Sequence, residues 1–153
     1  MNELDWRASD AWLRYSTRIK SVRIESDVQN ISNNAFCYCE ELSSVSIPDS
    51  IKSIEQEAFQ ACALKRVEIP IGVTSIGERA FISCTQLTDI SIPEGVTIIA
   101  SDTFYKCVSL KNIAIPKTVI KIEDGIGPYE AGFTLLVLIL PILLNEADTH
   151  ILL

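Results

Sequence analysis

The sequence predicts an α/β solenoid of short parallel strands, and three sets of evenly spaced residues predict it. Phe36, Phe59, Phe81 and Phe104 stand 23, 22 and 23 residues apart. Cys39, Cys62, Cys84 and Cys107 keep the same intervals. The pairs Ile47-Pro48, Ile69-Pro70, Ile92-Pro93 and Ile115-Pro116 follow at 22, 23 and 23. A fixed period of this length makes each unit one turn of a coil that buries its apolar face only against its neighbours.

Each slot of the unit has a readable physical role. Leu42, Leu64, Leu87 and Leu110 open the copies, and Val45, Val67, Ile90 and Ile113 follow three residues later. Val45-Ser46-Ile47 and its equivalents alternate apolar and polar residues and are rich in β-branched side chains, the pattern of a short strand with one face inward. Proline then ends the pairing, because it has no N–H to donate. A second apolar pair, such as Val73 and Ile76, predicts another short extended stretch returning to the same core. Ala58-Phe59, Ala80-Phe81 and Thr103-Phe104 are expected on a short helical or 3₁₀ turn with the ring pointing inward. An earlier copy is legible in Ile19, Val22, Ile24, Val28, Ile31, Ala35 and Phe36, with Glu25 in place of proline. This gives about five units over residues 19–125. A single unit is too short to offset its own ordering entropy, so the units must stack.

A solenoid exposes an apolar cross-section at each end unless something covers it. Residues 1–18 are read as an N-terminal helical cap, with Leu4, Ala8, Ala11, Trp12 and Tyr15 on one side; a helix that docks a partner is the alternative. Residues 126–153 hold an apolar run from Ala131 to Leu144, broken by Pro141. Three readings stand for it: a C-terminal cap, a membrane-associated segment, or a non-native tail. The run is shorter than the roughly 20 residues a spanning helix needs.

The formal charge of −7 and pI near 4.7 argue against a nucleic-acid partner, which requires a basic stripe, and against a polybasic membrane-surface binder. Met1 to Arg7 lacks the basic start and apolar core of a secretory signal. The expectation is either a cytoplasmic protein or the interior of something longer.

The motifs Ala58-Phe59-x-x-Cys62, Val45-x-Ile47-Pro48 and Ile76-Gly77-Glu78-Arg79-Ala80-Phe81 resemble the BspA-type leucine-rich repeat family over residues 19 to about 122. The resemblance implies a right-handed leucine-rich coil with a parallel sheet along one side. It further implies surface or secreted proteins that bind host or neighbouring-cell macromolecules. The missing signal and the low repeat number depart from an adhesin and leave the surface location open.

Chemistry-bearing residues are sparse. Four cysteines recur at one slot and so form a column, which suits neither disulfide geometry nor a tetrahedral metal; small buried hydrophobes are expected. Cys37 stands outside the column as the expected accessible thiol. His150 is the only histidine and lies in the tail. The carboxylates Glu55, Glu57, Glu78, Asp102, Glu123 and Asp124 fall on one outer turn, where a solvated surface is expected rather than an acid/base pair. Gly125-Ile126-Gly127 is too short for a phosphate-cradling loop. No enzyme, cofactor, metal or small-molecule substrate is expected.

What remains is the outward face of the strand ladder. Alternation places Lys20, Arg23, Ser44, Ser46, Lys65, Arg66, Glu68, Asp89, Ser91, Lys111 and Asn112 outward, with Ser21, Ser43, Thr88 and Ala114 beside them. Lys20, Lys65 and Lys111 run along one edge. Ile98 takes an outward position where other copies have Ser53 or Ser75. Such a strip suits a protein partner, including a glycan-bearing one. An ordinary solvated sheet face is the competing reading, since the strip has no aromatic anchor. The function expected is a non-catalytic protein-interaction module, the alternative a structural spacer within a larger surface adhesin.

Overall fold

Alternating β-branched residues before each proline, and a second short apolar pair after it, give every coil two brief strands. A computed structural model describes residues 15–125 and the strand at 134–137. The first strands of successive coils are β1 (Ser21–Arg23), β3 (Ser44–Ser46), β5 (Arg66–Glu68), β7 (Asp89–Ser91), β9 (Asn112–Ile115) and β11 (Thr134–Val137). The second strands are β2 (Asn30–Ile31), β4 (Ser53–Ile54), β6 (Ser75–Ile76), β8 (Ile98–Ile99) and β10 (Lys121–Ile122). All pairing is parallel and keeps the repeat in register: Val22 faces Val45, Val67 faces Ile90, and Ile54 faces Ile76. The chain is a parallel-strand β-solenoid.

The two ladders are not continuous. On the first face β1 pairs with β3, and β5, β7, β9 and β11 form a separate sheet, so β3 and β5 are neighbours without pairing. On the second face β2, β4 and β6 pair, then β8 pairs with β10, leaving a break between β6 and β8.

A third ladder runs along the outer wall, where the Ala-Phe turns lie. Odd and even residues there divide the hydrogen bonding. Glu57, Phe59 and Ala61 donate their N–H groups to the carbonyls of Glu78, Ala80 and Ile82 in the next coil, at 3.0, 2.8 and 2.9 Å. Ala58, Gln60 and Cys62 donate locally, to Glu55, Glu57 and Phe59. The alternation needs residues in the left-handed region, and two columns supply them. Asn34, Glu57, Arg79 and Asp102 form one, with Gly125 (φ 70) next in line, and Tyr38, Ala61, Ser83 and Lys106 form the other. Local bonds of the i to i−3 kind therefore occur at every second residue only. The expected helical or 3₁₀ turn is not formed, because left-handed corners on both sides of Ala-Phe interrupt it. The described residues contain no complete helix; only Tyr15 and Ser16 are helical. Most of the helical cap read over residues 1–18 lies outside the described residues. Of 126–153 only β11 is described, paired with β9 from Thr134 opposite Asn112 to Val137 opposite Ile115.

The interior is a set of columns. Phe36, Phe59, Phe81 and Phe104 stack with ring centroids 5.3, 5.4 and 5.8 Å apart and planes within 16° of parallel. Phe59, Phe81 and Phe104 are fully buried, as are Leu42, Leu64, Leu87 and Leu110. Thr103, standing where other coils have alanine, satisfies its buried hydroxyl on the Ala100 carbonyl at 2.6 Å.

The cysteine column is buried and unpaired by disulfides, as its spacing predicts, but its thiols do more than fill space. Cys62, Cys84 and Cys107 each donate to the carbonyl of the phenylalanine in the preceding coil, Phe36, Phe59 and Phe81, at 3.1 Å. Those carbonyls already accept a backbone N–H from Cys39, Cys62 and Cys84. The thiol thus takes the second lone pair of a buried oxygen, a role alanine cannot fill. Burial pushes the Cys84 thiol up to about 12 and those of Cys62 and Cys107 higher still. Cys37 is only half-exposed; its thiol donates to Gln60 Oε1 at 3.3 Å. Burial, then the nearby Glu57 carboxylate, raises it to about 11, which removes the nucleophilic thiolate at neutral pH.

Close stacking also fixes Gly77. A Cβ there would stand 2.7 Å from the Gln56 nitrogen and 2.8 Å from the Glu55 carbonyl carbon, both main chain of the coil beneath. Gly77→Ala must push two coils apart and is expected to cost about 1–3 kcal/mol. Urea unfolding followed by circular dichroism measures this; an unchanged midpoint would show that the coils yield without strain.

Candidate functional site

Period-two alternation along the first strands sends every second side chain outward, and parallel register lines these up across coils. Lys20, Arg23, Ser44, Ser46, Lys65, Arg66, Glu68, Asp89, Ser91 and Lys111 are all exposed on this face. Asn112 lies in β9, in the same row of the ladder. The strip carries five cations, Lys20, Arg23, Lys65, Arg66 and Lys111, against two carboxylates, Glu68 and Asp89. Its formal charge is therefore +3 on a chain whose total is −7. Composition alone hid this, because it averages two faces of opposite sign.

The outer wall carries the balancing acid. Arg79 lies among Glu57 at 3.8 Å, Glu78 at 3.2 Å and Asp102 at 3.3 Å. Glu55 accepts the Asn33 N–H, while Glu123 accepts the Ser101 N–H and hydroxyl. Lys121 approaches Glu123 at 2.7 Å, and this bond, with those from Ser101, holds the Glu123 carboxyl below its usual range. Glu55, Glu57, Asp102 and Glu123 tie coil to coil, while Glu78 meets Arg79 within its own coil. Among the described residues no group of three His, Cys, Asp or Glu side chains is placed to hold a metal ion. His150 lies outside the described residues.

On the strand face, Arg66 pairs with Asp89 at 3.2 Å, directly opposite it in the β5–β7 register. Both are largely in solvent, at 69% and 57% exposure, so the pair is worth less than about 1 kcal/mol and can exchange partners. Lys20 approaches Glu41 at 3.9 Å. Arg23 and Lys65 make no ion pair among the described residues. The unpaired strands β3 and β5 flank a groove of about 410 Å³, lined by Ser43, Ser44, Ser46, Lys65, Arg66 and Glu68 among others. A smaller groove of about 310 Å³ lies between β7 and β9 and includes Ser91, Glu94, Ala114 and Lys117. Ile98, 43% exposed, sits on the second ladder opposite Lys121 and away from the cationic strip.

The repeat geometry can now be set beside known proteins. Residues 10–126 match the model of the BspA type leucine rich repeat region, in six copies. The chain belongs to this family. The BspA-type coils have solved counterparts in several bacteria. A leucine-rich repeat protein from Bacteroides ovatus is 30% identical with a TM-score of 0.58, over 73% of this chain and 35% of that one. A T. pallidum leucine-rich repeat protein is 25% identical with a TM-score of 0.64, over 74% and 59%. A leucine rich cell surface protein from Faecalibacterium prausnitzii is 27% identical with a TM-score of 0.52, over 68% and 37%. The chain thus spans roughly a third to three fifths of the length of these relatives. Among curated proteins none matches it. Membership of this repeat family is consistent with a protein-interaction or structural module. No helix among the described residues is long and apolar enough to cross a membrane.

Proposed function

We propose that this BspA-type repeat chain is a non-catalytic interaction module that binds a protein partner through the outward face of its first strands. The observation carrying this reading is the concentration of five cations and two carboxylates on that face of an otherwise acidic chain. Charge segregation of this kind steers association with a partner of opposite sign and sets its orientation. The carboxylates of the outer wall, by contrast, are taken up in ion pairs and backbone contacts, which leaves little for acid/base chemistry. The coil is taken to be right-handed, the hand of nearly all parallel-strand crossovers. A surface location draws support from the relative named as a cell surface protein.

The test is capture of partners by the folded chain and by K65E/R66E. Reversing both charges converts the strip from +3 to −1 and is expected to weaken capture by tenfold or more, while exposed repulsion between Asp89 and the glutamate introduced at position 66 lowers stability by about 1 kcal/mol at most. Identical partners at identical salt sensitivity would leave the strip as ordinary surface and favour a structural spacer.

A further inference from the structure

Three of the four coil junctions on the first face are built alike. Leu42, Leu87 and Leu110 each follow their cysteine by three residues and donate an N–H back to the carbonyl of Cys39, Cys84 and Cys107, at 2.9, 3.0 and 2.9 Å. Between Cys62 and Leu64 there is one residue fewer, only Ala63. That turn cannot close, and no corresponding hydrogen bond forms. The core ignores the shortening: Cys62 and Leu64 stay buried at 2% and 0% exposure. The consequence falls on the face. No backbone hydrogen bond joins Ser43–Ile47 to the segment 64–69, while Ser43 on Lys20 and Thr88 on Lys65 make the equivalent link at two of the other junctions, at 3.0 and 2.9 Å, and β7 and β9 pair at Ser91 and Ala114. The main-chain groups of β3 and β5 therefore line a seam, together with the hydroxyls of Ser44 and Ser46, Lys65 and Arg66, while the Ser43 hydroxyl donates to the Lys20 carbonyl.

We propose that this seam is the recognition point of the face, and that it receives a carboxylate side chain from an extended acidic segment of a protein partner. The proposal rests on the strand-face reading and narrows it to one junction and one partner chemistry. Lys65 lacks an ion pair among the described residues, and the exposed Arg66–Asp89 bridge exchanges at little cost. A guanidinium and an ammonium beside hydroxyl donors match a carboxylate in geometry and charge. Glu68 at the far end of the groove orients the segment, keeping acid near Lys65. β3 and β5 stay within 8 Å of each other, too close for a strand to enter between them, so the extended segment lies across the seam and its carboxylate reaches in.

A fluorescein-labelled deca-glutamate peptide, with deca-glutamine as control, tests this by fluorescence anisotropy on the full chain. Glutamate is expected to bind and glutamine not. One serine inserted between Ala63 and Leu64 restores the three-residue step, closes the ladder and is expected to weaken glutamate binding about tenfold while raising thermal stability. S44D/S46D, which keeps chain length and fills the seam with negative charge, is expected to abolish binding even if the insertion fails to fold. Binding that survives the insertion and S44D/S46D but is lost in K65E/R66E overturns the seam and retains the charged face. Binding indifferent to all three variants overturns both, and failure of the original chain to prefer glutamate overturns the seam.

Discussion

Phe81→Ala is expected to cost about 3–5 kcal/mol, as truncation of a fully buried phenylalanine does. Such a loss is a large share of the 5–15 kcal/mol typical of a domain. Phe81 stacks on Phe59 at 5.4 Å and on Phe104 at 5.8 Å, so its removal interrupts the aromatic column near its middle. Stability in a solenoid is a sum of unit and nearest-neighbour contributions. The variant should therefore lose both, and urea unfolding should broaden as the two halves uncouple. Phe36→Ala, at the partly buried start of the column, should cost less than half as much and leave a single sharp transition. A loss below about 1 kcal/mol for Phe81→Ala would contradict the stacked core.

Alkaline pH is expected to unfold the protein through its cysteine column. Burial holds the Cys84 thiol at about 12 against an ordinary 9.0, and Cys62 and Cys107 are raised in the same direction. In those two, the neighbouring Cys84 adds to the effect of burial. A thiol that keeps its proton in the native state and loses it when unfolded favours unfolding as pH rises. Stability should thus be intact below about pH 9 and fall between 9 and 12, by up to about 1.4 kcal/mol per pH unit for each thiol. Lysines and tyrosines titrate in the same range, so the comparison is with Cys84→Ala. Its loss of stability between pH 9 and 10.5 should be shallower by one thiol's share, measured by urea midpoints at each pH. Equal slopes in the two proteins would show that the column does not govern the transition.

The parts of this fold that repeat were legible, because a core slot shared by several coils announces itself in the spacing. The Leu and Cys columns are buried where the period places them, and the Val, Ile and Phe columns are buried except toward their ends, where Phe36, Val45, Ile47 and Ile122 are half-buried. The outer turn was misread as helical for a physical reason. Left-handed corners are normally signalled by glycine or asparagine, whereas Glu57, Arg79, Ala61 and Ser83 occupy them here. Their conformation is held by inter-coil hydrogen bonds that no local pattern encodes. The outward strip was placed by alternation alone, but its pairing was not: Arg66 meets Asp89 only through strand register. The seam between β3 and β5 left a trace in the sequence: Leu64 follows Cys62 by two residues where the other copies have three, while the outer turn from Phe59 to Cys62 keeps its length. What the spacing did not show is its consequence, a Leu64 N–H left out of the turn and a β3–β5 junction left unpaired.

The left-handed corners bear on how the array tolerates its own edges. Interior members of one column, Glu57, Arg79 and Asp102, adopt a shape their side chains disfavour, sustained by coils above and below. At the extremes stand Asn34 and Gly125, residues that accept that shape unaided. Along this column of the described residues the shape is self-sufficient at the margins and borrowed in the centre, whereas the second column ends on Tyr38 and Lys106 and borrows it throughout. Any shortened version that moves Glu57 or Arg79 to an outermost coil would need asparagine or glycine in its place.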